Sequence, residues 1–179
     1  GALRGMLGEL VGAGRRAPLA PAAFAEVLRQ KTFTSGADAE VVVELYAKTA
    51  RALLGSVREL QYRELKWAAA DYAQLGEALR YCGALEKLEL HKMDPDDADA
   101  AAMLEGLALP KLTELLLIEC RKITALPDVS GCAALKEIIL YECDALRAMP
   151  DLSSLEGLSW VIIDVDELKQ QWEANGRKA

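Results

Sequence analysis

The sequence predicts an α/β solenoid of about five stacked turns, closed at each end by a helix. Three observations carry that expectation. Apolar residues fall at offsets 0, 3, 6, 8, 11 and 14 from Cys132 (Cys132, Leu135, Ile138, Leu140, Cys143 and Leu146), and the pattern recurs along the chain. Leu109, Leu112, Leu115, Leu117, Cys120 and Ile123 repeat every offset, while Cys82, Leu85, Leu88, Leu90 and Met93 repeat the first five. Leu54, Val57, Leu60, Tyr62 and Leu65 do so as well, and Leu152, Leu155, Leu158, Trp160 and Ile163 supply a fifth copy. Second, 52% of the 179 residues are hydrophobic, ample for one continuous core. Third, the first two stretches between copies are helix-forming and the later two contain proline.

Taken in order, Leu3, Met6, Leu7, Leu10 and Val11 follow an amphipathic helical stripe, weakened by Gly5 and Gly8, and GAGRRAPLAP is a linker. Residues 1–21 thus form a marginal helix and linker. The opening GALRGMLGEL does not begin with methionine, as expected of a processed or trimmed product, and Gly8, Glu9 and Gly12 interrupt any signal-peptide core. Residues 22–53 read as a helical N-terminal cap. Phe24, Val27 and Leu28 share one face of a short helix, and Asp38 caps a second. The inward face of that second helix is expected to be Val41, Val42, Leu45, Tyr46, Thr49 and Leu53, with Gly55 just past its end.

Residues 54–165 hold the five copies, starting at 54, 82, 109, 132 and 152. The first two have room for a helix after the strand. One lies within Trp67–Tyr81, with Tyr72, Leu75 and Leu79 inward; the other opens at Asp94-Pro95, with Ala100, Met103, Leu104 and Leu107 inward. The later copies return through ITALPDVSG and LRAMPDLSS, whose prolines exclude a helix of any length. Trp160 is expected to point inward. Residues 166–179 form a closing helix capped by Asp166, carrying Leu168 and Trp172, followed by a tail.

LTELLLIECRKIT and CAALKEIILYECDAL resemble the leucine-rich repeat family in its cysteine-containing variety, and LPDVSGCAALKEIILYECDALRAMPDLSSLEGL resembles the LPD-type repeats of plant immune receptors. The leader FTSGADAEVVVELYAKTARALLGSVREL is similar to that of leucine-rich proteins of unicellular algae. The likeness covers residues 54–163. It departs at Leu65, Met93 and Ile163, where the family places asparagine or cysteine. The resemblance implies one short parallel strand per copy, a curved sheet, and partner binding on its concave face.

Alternation along each strand then sends offsets 5, 7 and 9 to that face. The first copies present charge, and the later ones present Leu116, Ile118, Ile139, Tyr141 and Val161. Glu114, Glu137, Glu119 and Glu142 form an acidic margin, and His91 lies on the same face. A protein partner bearing apolar and basic side chains is expected there. Alternatively, the linker or the N-terminal stripe covers the face, or these residues reflect strand preference alone.

The formal net charge is −7, with residues 1–53 slightly basic and the remainder acidic, which argues against nucleic acid. Cys82, Cys120, Cys132 and Cys143 form no CxxC pair and take inward positions, which favours reduced thiols in a reducing intracellular compartment. His91 is the only histidine, and no nucleophile accompanies it, so no enzymatic activity is expected. Asp94, Asp96, Asp97 and Asp99 could gather a hard cation, but they also suit the positive end of a helix dipole. No metal or cofactor is expected. The functional expectation is a soluble, non-enzymatic protein-binding module, an adaptor or scaffold. The alternative is an accessory subunit held permanently in a larger complex.

Overall fold

The computed structural model describes residues 15–31, 36–164, 166 and 168–170. Two helices, α1 (Pro21–Arg29) and α2 (Gly36–Ser56), precede β1 (Glu59–Arg63). Then follow α3 (Ala69–Leu79), β2 (Lys87–His91), α4 (Asp97–Leu104), β3 (Glu114–Ile118), β4 (Glu137–Tyr141) and β5 (Trp160–Ile163). Residues 166 and 168–170 are helical. The strands form one open, all-parallel sheet in the order β1-β2-β3-β4-β5. Among the described residues no helix is long and apolar enough to cross a membrane. The amphipathic stripe at Leu3–Val11 and Trp172 lie outside the described residues.

The core lies on the side of the sheet that α3 and α4 cover. Leu85, Leu88, Leu90, Leu115, Leu135, Ile138 and Leu140 are fully buried there, joined by Tyr72, Leu75 and Leu79 of α3 and by Met103 and Leu104 of α4. Burying one such side chain favours folding by about 1.5–3 kcal/mol, so this face dominates stability. Between β3 and β4, and again between β4 and β5, no helix forms. The two proline-containing returns instead meet at a parallel bridge, Ala125 to Ala148.

Each of the first four strands ends in the same turn. Glu64, Lys92, Glu119 and Glu142 all adopt left-handed backbone, with φ between 51° and 55°. This conformation is unfavourable for residues with a Cβ, so something must hold it. Their amides supply the restraint: Glu64, Lys92 and Glu119 donate to the carbonyls of His91, Ile118 and Tyr141 on the next strand, at 2.8–2.9 Å. At β5 the series ends, and Glu142 N–H donates to the Asp164 carboxylate at 2.6 Å. One residue further on, sulfur satisfies backbone groups. The Cys120 and Cys143 thiols donate to Leu90 and Leu117 carbonyls, and Leu65 N–H donates to Met93 Sδ.

Three expectations are corrected. The paired residues Glu59, Lys87, Glu114, Glu137 and Trp160 step by 28, 27, 23 and 23 residues. The fifth copy therefore begins at Leu155, not Leu152. Leu158 N–H bonds to Leu155 O just as Leu135 N–H bonds to Cys132 O, and Leu152 occupies the place of buried Val129. A slip of three residues, an odd number, exchanges the faces of a strand. Val161 is consequently buried, 2% exposed, and Trp160 points outward at 63%.

The second correction concerns α2. Val41, Val42 and Leu45 face outward, with Val41 and Leu45 more than 60% exposed, while Ala50 and Leu54 are buried and Val43, Tyr46 and Ala47 half-buried. The apolar residues of this helix encircle it, so periodicity could not single out one face. Gly55 lies inside the helix, and on α1 Val27 is exposed while Phe24 stacks on Tyr46.

The third correction is at α4, where the N-cap is Asp96 rather than Asp94. Its carboxylate accepts from Asp99 N–H at 2.9 Å, and Asp99 reciprocates on the Asp96 amide.

The segment before α1 is pinned to the first strand rather than being a free linker. Trp67 Nε1 donates to Arg15 O, Arg16 pairs with Asp71 at 2.9 Å, and Tyr46 Oη–H donates to Leu19 O. Arg15 also stacks over Tyr62 and reaches the Gln61 carbonyl.

Candidate partner-binding face

Parallel pairing in register turns the outward positions of the five strands into rows. One row reads Glu59, Lys87, Glu114, Glu137, Trp160, and the next reads Gln61, Glu89, Leu116, Ile139, Ile162. A third reads Arg63, His91, Ile118, Tyr141. Neighbours within a row stand about 4.8 Å apart, close enough for side chains to touch.

Towards β1 and β2 the face is ionic, and Arg63, Lys87, Glu89, His91 and Lys92 find partners within it. Glu89 is buried, and Arg63 meets it at 2.6 Å, with Lys87 Nζ at 3.6 Å. Lys87 also reaches Glu114 at 3.7 Å. His91 Nε2 lies 3.2 Å from Glu119, and Lys92 bridges Glu64 and Glu119 at 3.6 Å each. A carboxylate as enclosed as that of Glu89 is tolerable only with such partners.

Towards β4 and β5 the character reverses. Tyr141 is 47% exposed, Ile162 40% and Trp160 63%, with Ile139 half-buried among them. Leu116 joins this row but is covered by its neighbours. It is buried yet lies outside the main core cluster. Ile118 is half-buried at the margin. Of the predicted acidic margin, Glu119 and Glu142 share Arg121 at 3.5 and 3.7 Å, and Glu114 has Lys87. Glu137 has no ion pair among the described residues. The Tyr141 phenol is pushed up from its usual range because it hydrogen-bonds to, and sits beside, the Glu142 carboxylate.

Sequence reasoning thus named most of this surface but missed its two outward members on β5. Trp160 and Ile162 take the outward places beside Glu137 and Ile139, and buried Val161 leaves the set. The signal was present in the 23-residue spacing between LPD and MPD.

The acidic cluster before and within α4 is used internally. Asp97 accepts bonds from the Thr124 hydroxyl and amide and from Ala125 N–H, which hold its carboxyl below the usual range. Asp94 pairs with Lys122 at 3.8 Å. Among the described residues no cluster is arranged to hold a metal ion. A cleft of about 650 Å³ past the ends of β1 and β2 is lined by Lys66, Lys92, Lys122, Glu64, Asp94 and Trp67, and its charges largely offset one another. The four cysteines are free and buried. Burial pushes the Cys82 thiol up to about 11 and raises Cys132, and the hydrogen bond with Cys143, together with burial, raises Cys120. Thiols raised in this way are poor nucleophiles, whereas Cys143 is lowered, chiefly by its hydrogen bond with Cys120.

No family model, no curated protein and no solved structure matches this chain.

Proposed function

We propose that this chain is a non-enzymatic protein-binding module of the leucine-rich repeat type, a stacked solenoid whose open sheet face receives a partner through its β4–β5 half. The carrying observation is the set Tyr141, Trp160 and Ile162, large apolar side chains projecting together from adjacent strands. Aromatic residues grouped beside charged margins are the composition of an interface. The repeating left-handed turn and the sulfur atoms behind it support the family reading. Four reduced thiols suit a reducing compartment.

The test is capture from native extract with the parent chain and with Ile139, Tyr141 and Ile162 all replaced by serine. The variant should keep the parent's Tm and lose the partners that the parent retains. Retention of the same partners by the folded variant overturns the assignment.

One observation favours the second reading, an accessory subunit held permanently in an assembly. Val41, Val42 and Leu45 give α2 an apolar outer face of its own. A permanent subunit should bind hydrophobic dye and self-associate when isolated, whereas a dedicated module should stay monomeric.

A further inference from the structure

Trp160 and Glu137 are register partners on β4 and β5, side by side on the open face. The indole is the more exposed of the two, with nearly two thirds of its surface free. Glu137 is half-buried, and its neighbour on the other side is a second carboxylate, Glu114. Of the four glutamates that flank the apolar patch (Glu114, Glu119, Glu137 and Glu142), only Glu137 has no cation among the described residues. A carboxylate in that position raises the local negative potential and lacks the counterion that its neighbour Glu114 has in Lys87.

From this juxtaposition, and resting on the reading of the face given above, we infer that Trp160 and Glu137 form a subsite for an arginine side chain of the protein partner. A guanidinium is flat and weakly hydrated. It can lie on the indole face while directing two N–H groups to the adjacent carboxylate, uniting cation–π attraction with a forked, charge-assisted hydrogen bond. A lysine ammonium can make either contact but cannot present a fork. Ile139 and Ile162 lie one row along, about 6.6 Å further up the strands, and would take an aliphatic or aromatic side chain two residues from the arginine in an extended partner. The chain's net charge of −7 assists approach of such a segment.

The probe is a random-peptide library panned against the immobilised full chain, followed by calorimetry with the peptide that binds best. Enriched peptides should carry an arginine next to apolar residues. Replacing that arginine by citrulline, which keeps the shape and removes the charge, should weaken binding about tenfold, and replacement by lysine should weaken it less. Glu137→Gln should cost a similar factor. Trp160→Leu, which keeps the site apolar but removes the π face, should do the same, with Tm unchanged in both. Glu59→Gln, at the far end of the same row, should have no effect. Recovery of no peptide, or of peptides indifferent to both Glu137→Gln and Trp160→Leu, overturns the arginine subsite. If those peptides are still lost to the Ile139/Tyr141/Ile162 serine variant, the face remains the binding surface and only the arginine inference fails. If they survive that variant too, both fall.

Discussion

Ile138 and Ile139 are chain neighbours with the same side chain and opposite surroundings. Ile138 is completely buried between the sheet and the return segments, whereas Ile139 stands half-covered on a face where Tyr141, Trp160 and Ile162 remain open. The difference separates two uses of apolar surface. On the inner face, hydrophobic burial is complete and specifies the fold. On the outer face, similar residues contribute little to folding and leave surface that a partner can cover.

The contrast is sharpest in stability. Ile138→Ala should cost about 2–5 kcal/mol in urea unfolding, through lost burial and the cavity left behind. Ile139→Ala should cost less than about 1 kcal/mol, as substitutions outside a core do. Equal losses would erase the distinction between the faces.

Packing behind the sheet can be probed at glycine. A Cβ at Gly131 would overlap the Leu107 carbonyl, and one at Gly76 would overlap the Ala102 carbonyl, whereas one at Gly157 meets only ordinary contact. Gly131→Ala and Gly76→Ala should each destabilise by about 1–3 kcal/mol. Gly157→Ala should be nearly silent in the same thermal scans.

Within the outer face, the ionic half differs from the apolar half because its enclosed carboxylate depends on internal partners. Arg63→Met should cost about 1–3 kcal/mol, since Glu89 stays buried with only Lys87 beside it. Glu137→Gln should leave stability unchanged, because Glu137 has no such partner to lose.

The smallest effect concerns acid. The Asp97 carboxyl titrates below its unfolded value, so the stability it supplies is complete above pH of about 4 and fades as pH falls through the folded-state pKa. The stability gap between parent and Asp97→Asn should be constant above that pH and close below it in urea titrations.

Much of this architecture was legible in the sequence because an inward residue must be apolar in every copy, and repetition averages away chance matches. Thus Leu88, Leu115 and Ile138 declared themselves, as did the prolines that exclude helices from the later returns. The fifth copy did not, because Leu152, Leu155 and Leu158 are themselves spaced by three and fit the template in two registers. The pairing of Trp160 with Glu137 decides between them, and that is a long-range contact. The outward turn of Val41 and Leu45 was hidden because α2 is apolar on several sides and only its docking against α1 selects a face. At α4, Asp94, Asp96 and Asp97 could each have capped, and the reciprocal bond with Asp99 selects Asp96.

Hydroxyl-radical footprinting of the full chain, free and with its captured partner, compares the two exposed apolar surfaces in one measurement. Tyr141, Trp160 and Ile162 should lose reactivity in the complex while Val41 and Leu45 keep theirs. Protection of α2, with the β4–β5 side chains still reactive, would contradict the account.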